Sequence, residues 1–379
     1  MDEQDIFITE ILVHKCRHIR DFKILLSKTE RKHLIITGKN GSGKTSLLEL
    51  IIKLITEEPY TGKLRADLIE IDVVNFVADE FHPLSYRILE ERRDKEFIYA
   101  YLPVTKKVDF IPVNGVKNTH IEDEIIHKGI GMASYFLQYL TNLKASKAFA
   151  IADGELDAAK KVDKWFERFE NLLKDIFDNP KLELKFDRKS YTFSFVEEGK
   201  EPYSFGTLSD GYASVIAIVA ELIMRMEAYE AEVYDVQGIV LIDEIESHLH
   251  VDLQKKILPF LATFFPKIQF IVTTHSPFVI SSMKDAVVCD LEHQIVANDL
   301  STYSYDALLE SYFGVDKYSD VLKEKVIEYE VLSSKKQLAV EEEFRLEELR
   351  DYLDKAPLFL SKELQVKLQE IDLNNLNKA

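Results

Sequence analysis

Apolar positions along the chain change their spacing several times, and each change predicts a different element. Residues 7–13 and 22–26 alternate at the strand period, with Lys15-Cys16-Arg17-His18-Ile19-Arg20 between them. Leu34-Ile35-Ile36 is a continuous apolar run, as expected of a strand buried on both faces. From Leu47 the spacing becomes helical, and Pro59 is expected to stop that helix. Residues 68–76, 97–104 and 107–112 read as strands, the last two paired as a hairpin across a short turn.

Residues 120–180 change character. Two helices are predicted, 132–143 and 158–177. The first has Tyr135, Leu137, Leu140 and Leu143 among its inward candidates. The second has Val162, Trp165, Phe166, Phe169, Leu172, Leu173 and Ile176 on one face. Lys160, Lys161 and Lys164 occupy much of the opposite face. The aromatics lie on the apolar side, so this reads as core plus solvated face and not as a nucleic-acid surface. A small antiparallel helical lobe is expected, too short for a long coiled coil. Alternation returns in 182–195 as a hairpin, followed by an apolar helix over 213–226. Residues 238–242 and 268–272 are continuous apolar runs again, predicting buried parallel strands. From 301 onward, helices are expected at 304–313, 321–333, 336–353 and after Pro357. The expected divisions are 1–119, 120–180, 181–300 and 301–379, within an α/β architecture.

The candidate chemistry sits where apolar runs end. Gly38-Lys39-Asn40-Gly41-Ser42-Gly43-Lys44-Thr45, with Ser46 next, lies between a strand and a helix. In that context glycines let successive backbone N–H groups point at phosphates, and the positive end of the helix lies beneath them. Lys44 is expected to reach the β- and γ-phosphates, and Thr45 to hold Mg²⁺ through its hydroxyl. Asp243 and Glu244 follow the run Gly238-Ile239-Val240-Leu241-Ile242. Acids at a strand end suit ordering Mg²⁺ (Asp243) and orienting or deprotonating a water (Glu244). His275 ends the 268–273 strand and is a candidate γ-phosphate contact. Ser209 reads as the N-cap of the 213–226 helix, so its hydroxyl and free N–H groups face outward, with Gly211 beside it. By itself, Arg17 reads as part of a solvated basic turn.

Composition narrows the partners. The formal net charge is -18, so nucleic acid would need a local basic patch or a basic partner. Cys16 and Cys289 are the two cysteines, which suits a reducing cytoplasm. The acidic start at Asp2, Glu3 and Asp5 does not read as a signal peptide, and no apolar run is long enough to span a membrane. The acidic helical C-terminal region lacks a histidine-rich, HNH-like or TOPRIM-like constellation. Asp351 and Asp354 read as solvated face.

The order of phosphate loop, Leu208-Ser209-Asp210-Gly211, Leu241-Ile242-Asp243-Glu244 and Thr273-Thr274-His275-Ser276-Pro277 resembles the ATP-binding cassette (ABC) ATPases. The branch resembled is that of SMC, RecF and related bacterial AAA-type ATPases, over residues 7–290. The resemblance implies an ABC-type ATPase head, a P-loop NTPase, with a short helical insertion replacing the coiled coil and a C-terminal helical region. Asp243 and Glu244 then match the Walker B acids, and His275 the switch histidine. Arg17 falls where the branch often has an arginine that touches nucleotide. Residues 208–212 match the signature LSGGQ, with Asp210 in place of a glycine and Tyr212 in place of the glutamine. Glu246-Ser247-His248-Leu249-His250 matches the D-loop region, with Val251 in place of a proline. No residue clearly matches the Q-loop glutamine. Gln138 lies in the helical lobe, and Asn114 follows the expected hairpin.

The implied ligands are ATP and Mg²⁺. The implied assembly is a homodimer or higher oligomer in which Ser209 and Gly211 of one copy close on the ATP of another. The chain resembles ATPase subunits of bacterial anti-phage systems such as Septu, PARIS and some retrons. The expected role is therefore an ATP-driven switch for a separate effector, such as a nuclease or toxin. The alternative is a RecF- or SMC-like DNA repair or clamp ATPase. A transporter cassette is disfavoured, since no membrane-coupling segment is evident.

Overall fold

The computed structural model describes residues 5–56, 69–74, 97–103, 110–117, 132–227, 236–305, 307–308, 320–335, 337–355 and 371. Two sheets share one helix. Strands β1 (Phe7–Cys16) and β2 (Ile19–Leu25) form a hairpin. β3 (His33–Thr37) leads through the glycine loop into α1 (Lys44–Thr56). β4 (Ile69–Val74) completes an antiparallel sheet in the order β2-β1-β4. Leu47, Leu48, Ile51 and Ile55 of α1 are fully buried. They join Ile8, Ile11 and Val13 of β1 and Leu34 and Ile36 of β3 in one core. Each such side chain contributes about 1.5–3 kcal/mol of burial.

Strand β5 (Phe97–Leu102) belongs to the larger, central sheet. The expected hairpin with 107–112 does not form in the described residues. β5 runs parallel to a strand far along the chain, from Phe97 opposite Gln237 to Leu102 opposite Ile242. Residues 110–112 carry no strand, and 104–109 lie outside the described residues. Pairing with a buried apolar strand helps to cover Phe97, Ile98 and Ala100, all buried.

The helical lobe is α2 (Phe136–Asp153) and α3 (Leu156–Ile176), folded back at Gly154, whose φ is 83°. Phe136 packs on Phe169 with ring centroids 5.4 Å apart, and Tyr139 on Trp165 at 5.6 Å, with Leu140 buried. Tyr135 is exposed, contrary to expectation, because it ends a 3-10 turn (Met132–Tyr135) before α2 begins. A second hairpin follows, β6 (Glu183–Asp187) and β7 (Thr192–Val196), extended by β8 (Tyr203–Ser204).

Helix α4 (Asp210–Glu227) starts three residues earlier than its apolar run predicts. It buries a Glu221–Arg225 pair at 2.8 Å, and the other Glu221 oxygen accepts from the Ala133 N–H at 3.0 Å. That contact ties the helical lobe to the head.

The central sheet is completed by β9 (Gln237–Ile242), β10 (Ile268–Thr273), β11 (Ala286–Asp290) and β12 (Ile295–Asn298), in the order β12-β11-β3-β10-β9-β5. All are parallel except the edge strand β12. Helix α5 (Val251–Phe264) links β9 to β10, and the short α6 (Pro277–Ile280) follows β10. Fully buried Gln269 stitches the two sheets. Its amide accepts from the Ile8 N–H at 2.7 Å and donates to the Ile8 and Lys32 carbonyls, so no buried polar atom of that side chain is wasted.

The chain divides into two compact units, Met1–Tyr305 and Asp306–Ala379. In the second, α7 (Asp320–Ser333) and α8 (Val340–Asp354) bury Val326, Tyr329, Leu332, Leu349 and Leu353 between them. Arg345 bridges both Glu328 oxygens. The helix expected after Pro357 and most of that at 304–313 lie outside the described residues. No helix among the described residues is long and apolar enough to cross a membrane.

Candidate ATPase site

Three parallel neighbours, β3, β10 and β9, end side by side. Their ends gather Thr37 and the phosphate loop, Thr273 and His275, and Asp243 and Glu244. This is the edge where open parallel sheets take ligands.

The loop has the backbone that phosphate binding needs. Gly38, Gly41 and Gly43 all have positive φ, at 135°, 84° and 100°. At Gly38 a Cβ would lie 2.8 Å from the Ser42 hydroxyl and 3.2 Å from the Glu292 nitrogen, so together with its φ any side chain there is strained. Lys44 is buried, and its ammonium donates to the carbonyls of Gly38 (2.9 Å) and Lys39 (3.1 Å). Burial pulls its pKa below the usual lysine value, opposed by Glu244, Glu246, Asp243 and Asp290. The Ser42 and Thr37 hydroxyls are buried without a hydrogen-bond partner. Such orphaned groups at a loop of this shape suit an anionic ligand. Asn40 is exposed at the loop tip, and Ser46 lies in the first turn of α1.

A turn after β11 braces this loop. The Glu292 carboxylate accepts from the Lys39 ammonium at 2.6 Å and from its backbone N–H at 3.3 Å. Asp290, buried, accepts from the Glu292 and His293 N–H groups and bonds the His293 ring at 2.6 Å. That bond raises the His293 pKa.

The acids are held from two sides. Thr45 donates to Asp243 Oδ2 at 2.9 Å across 198 positions of sequence. Thr273 donates to Asp243 Oδ1 at 2.5 Å and accepts from the Glu244 N–H at 2.7 Å. Glu244 has a φ of 48°, rare for a residue with a side chain, and its carboxylate accepts from Ser247 at 3.2 Å. The His275 N–H donates to Glu246 at 2.5 Å. Burial, then the Lys44 charge, lowers the His275 pKa, which keeps the imidazole neutral near pH 7. A hydroxyl and a carboxylate turned to one another are hard oxygen donors of the kind Mg²⁺ takes with phosphate and water. Among the described residues no group of three or more His, Cys, Asp or Glu is arranged to hold a metal ion.

Arg17 reaches the same site. Its φ is 54°, and its Nε donates to the Ser46 hydroxyl at 2.7 Å. Arg20 secures that turn by donating to the Arg17 and Ile19 carbonyls at 2.5 and 2.9 Å.

Ser209 and Gly211 are placed elsewhere. The Ser209 carbonyl accepts from the Ala213 N–H at 2.9 Å, opening α4. Gly211 packs on the 248–250 turn, where a Cβ would come 3.1 Å from the His248 carbonyl oxygen. Ser209, Asp210 and Gly211 line a cavity of about 830 Å³ with His248, His250, Lys255 and Lys256, away from this chain's phosphate loop. Gln138 is engaged by the Gly115 carbonyl and Asn142, and Asn114 is exposed.

Thr273, Glu246, Glu292 and Arg20 take part without having been named as site residues; Thr273 and Glu246 lay within matched motifs, and Glu292 and Arg20 carried no signal.

A family model described as "AAA domain, putative AbiEii toxin, Type IV TA system" matches residues 85–281. Septu protein PtuA of Bacillus mycoides (strain KBAB4) is 27% identical over 312 residues, 75% of this chain and 40% of that protein. Septu protein PtuA of Bacillus thuringiensis is 30% identical over 203 residues, 48% of this chain and 49% of that protein. The Retron Ec83 probable ATPase of Escherichia coli is 41% identical over 87 residues, 22% of this chain and 16% of that protein. The matched region is less than half the length of each of these relatives. Among solved structures, an SMC head bound to the C-winged helix domain of ScpA aligns with a TM-score of 0.42 and 13% identity. That alignment covers 76% of this chain and 96% of the other. With just over half of its residues inside the family model, the chain belongs to this AAA-domain family of ATPases.

Proposed function

We propose that the chain binds and hydrolyses Mg²⁺-ATP and acts as a nucleotide-dependent switch for a separate effector. The observation that carries the reading is the Thr45–Asp243 contact, which joins the phosphate loop to the acids at 2.9 Å. Lys44 and the loop N–H groups would hold the β- and γ-phosphates, replacing the loop carbonyls that now occupy the ammonium. Thr45 and Asp243 are the residues suited to Mg²⁺, which supplies charge neutralisation on the phosphates when bound. Glu244 would orient or deprotonate the attacking water, and His275 would contact the γ-phosphate.

Ser209 and Gly211 line a cavity away from the chain's own loop, so their role requires a second copy whose ATP they cover. Relatives named for Septu and retron systems support a defence setting. The effector in this reading would be a nuclease or toxin. The net charge of -18 weighs against the DNA-clamp alternative.

Turnover and nucleotide binding, measured on purified chain, test the site. Lys44→Ala is expected to lose nucleotide, and Glu244→Gln to keep it while stopping turnover. Wild-type hydrolysis by Glu244→Gln would remove the catalytic assignment. Mixing Lys44→Ala with Ser209→Arg chains is expected to restore one working site per pair, and no recovery at any ratio would argue for a site within one copy. Affinity purification of the Glu244→Gln chain with ATP from native cells tests the effector. A stoichiometric nuclease or toxin supports the switch. DNA alone, with DNA-stimulated turnover, replaces it with the repair reading.

A further inference from the structure

We propose that Thr273 is the positioning residue that sets both active-site carboxylates from a single hydroxyl, a role that rests on the Mg²⁺-ATP reading above. Thr273 is wholly buried at the end of β10, beside Asp243 at the end of β9, where Val272 pairs with Ile242. Its oxygen lies 2.7 Å from the Glu244 nitrogen and 2.5 Å from Asp243 Oδ1. A backbone N–H can only donate, so the hydroxyl accepts there and must send its one proton to Asp243.

Two consequences follow from that direction. The bond occupies Oδ1 and turns Oδ2 to Thr45, which donates to it at 2.9 Å. The same oxygen also holds the peptide of Glu244, whose φ of 48° is unfavourable for a residue with a Cβ. An unfavourable backbone persists only where its surroundings hold it, and here Thr273 supplies one hold and Ser247, bonded to the carboxylate at 3.2 Å, another. The Ile245 N–H reaches the Thr273 carbonyl at 3.1 Å, so the turn after β9 is tied to β10 at successive residues.

The alternative is that a β-branched residue merely fills the end of a strand. Thr273→Val keeps that shape and removes the hydroxyl, and Thr273→Ser keeps the hydroxyl and removes the methyl. Two readouts separate the cases: steady-state ATP turnover, and Mn²⁺ binding in the presence of ADP followed by electron paramagnetic resonance. Supporting groups of this kind are worth about 10- to 100-fold in metal affinity or activity. Thr273→Val is therefore expected to lower kcat and Mn²⁺ affinity by about that factor. KM for ATP and metal-free ADP binding should stay within about threefold, because the phosphate loop is intact. Thr273→Ser is expected to recover most of both losses. Added to Asp243→Asn, Thr273→Val should cost little more Mn²⁺ affinity, since both act on one carboxylate. Wild-type kcat and Mn²⁺ affinity in Thr273→Val would overturn the proposal, as would Thr273→Ser failing as badly as Thr273→Val. If Thr273→Val does not fold, Thr273→Ala, which also removes the hydroxyl, replaces it: additive loss of Mn²⁺ affinity in Thr273→Ala/Asp243→Asn overturns the proposal, and non-additive loss supports it. Should the wild-type chain bind Mn²⁺ and ADP without hydrolysing ATP, the hydrolysis reading falls while the Mn²⁺ comparison still decides the role of Thr273.

Discussion

Tyr212 lies flat on Phe177, with ring centroids 4.3 Å apart and planes 9° from parallel. Phe177 caps α3 and also packs on Phe195 at 5.4 Å. The residue standing where the resembled signature has a glutamine thus serves as an aromatic joint between the helical lobe and the start of α4. Tyr212→Ala is expected to destabilise the chain by about 2 kcal/mol, combining lost stacking and lost burial. Tyr212→Phe should stay within about 0.5 kcal/mol, because the stack needs only the ring. Urea unfolding measures both, and equal stability of Tyr212→Ala and wild type would show that the joint carries nothing.

Arg17 carries a separate forecast. Its guanidinium sits on Ser46 at the head of α1, just after the phosphate loop. A charged hydrogen bond to an anion is worth about 1.5–3 kcal/mol, so Arg17→Ala should weaken ATP binding roughly tenfold or more. Stability should barely change, since the side chain is exposed. Arg20→Ala should give a smaller loss in the same direction, because Arg20 holds the turn and does not itself reach Ser46. Titration of a fluorescent ATP analogue checks the order, and an Arg20 effect larger than the Arg17 effect would contradict it.

Lys39 and Glu292 should behave as a pair. Hydrogen bonding to Lys39 holds the Glu292 pKa below the usual carboxylate value, so the acid stays charged beside a loop built for anions. Lys39→Met leaves that charge uncompensated and should weaken ATP binding about threefold, a modest effect because the pair is solvent-accessible. Glu292→Gln in the same chain should recover the affinity. Independent, additive effects in the double variant would show that the two side chains do not act through one another.

His33 makes stability depend on pH. It is buried at the start of β3, where its Nδ1 accepts from the Phe270 N–H at 3.0 Å. Burial, and then the Arg31 charge, lowers its pKa from 6.5 to about 4, with Asp285 opposing. Between those values the unfolded chain binds a proton that the folded chain refuses, so stability falls as pH drops from 6.5 toward 4. From this residue, the loss between pH 7 and pH 5 should be about 2 kcal/mol. A His33→Asn chain, compared with wild type by urea unfolding at both values, should show a correspondingly smaller fall. Parallel pH dependences would place the titration elsewhere.

The phosphate loop and the acidic strand end were legible in the sequence because their causes are local. Gly38, Gly41 and Gly43 permit the positive φ that the loop adopts within eight residues. A continuous apolar run ending in Asp243 and Glu244 has few places to go except a covered parallel strand. The lobe helices showed through the spacing of Trp165, Phe169, Leu172 and Ile176 on one face. Tertiary structure decided what those elements meet. The strand pattern of residues 97–102 says nothing of its partner, and the structure pairs it parallel with β9, whose sequence lies well over a hundred positions away. Arg17 in a basic turn says nothing of Ser46 until α1 packs beside the hairpin. Thr45 and Asp243 are 198 positions apart, and Thr273 stands between their strands only because β10 lies between β3 and β9. Backbone preferences act over a few residues, whereas the choice of neighbour depends on which apolar faces can be buried together. The parts of the site were therefore written in the chain, and their mutual geometry was set by the sheet.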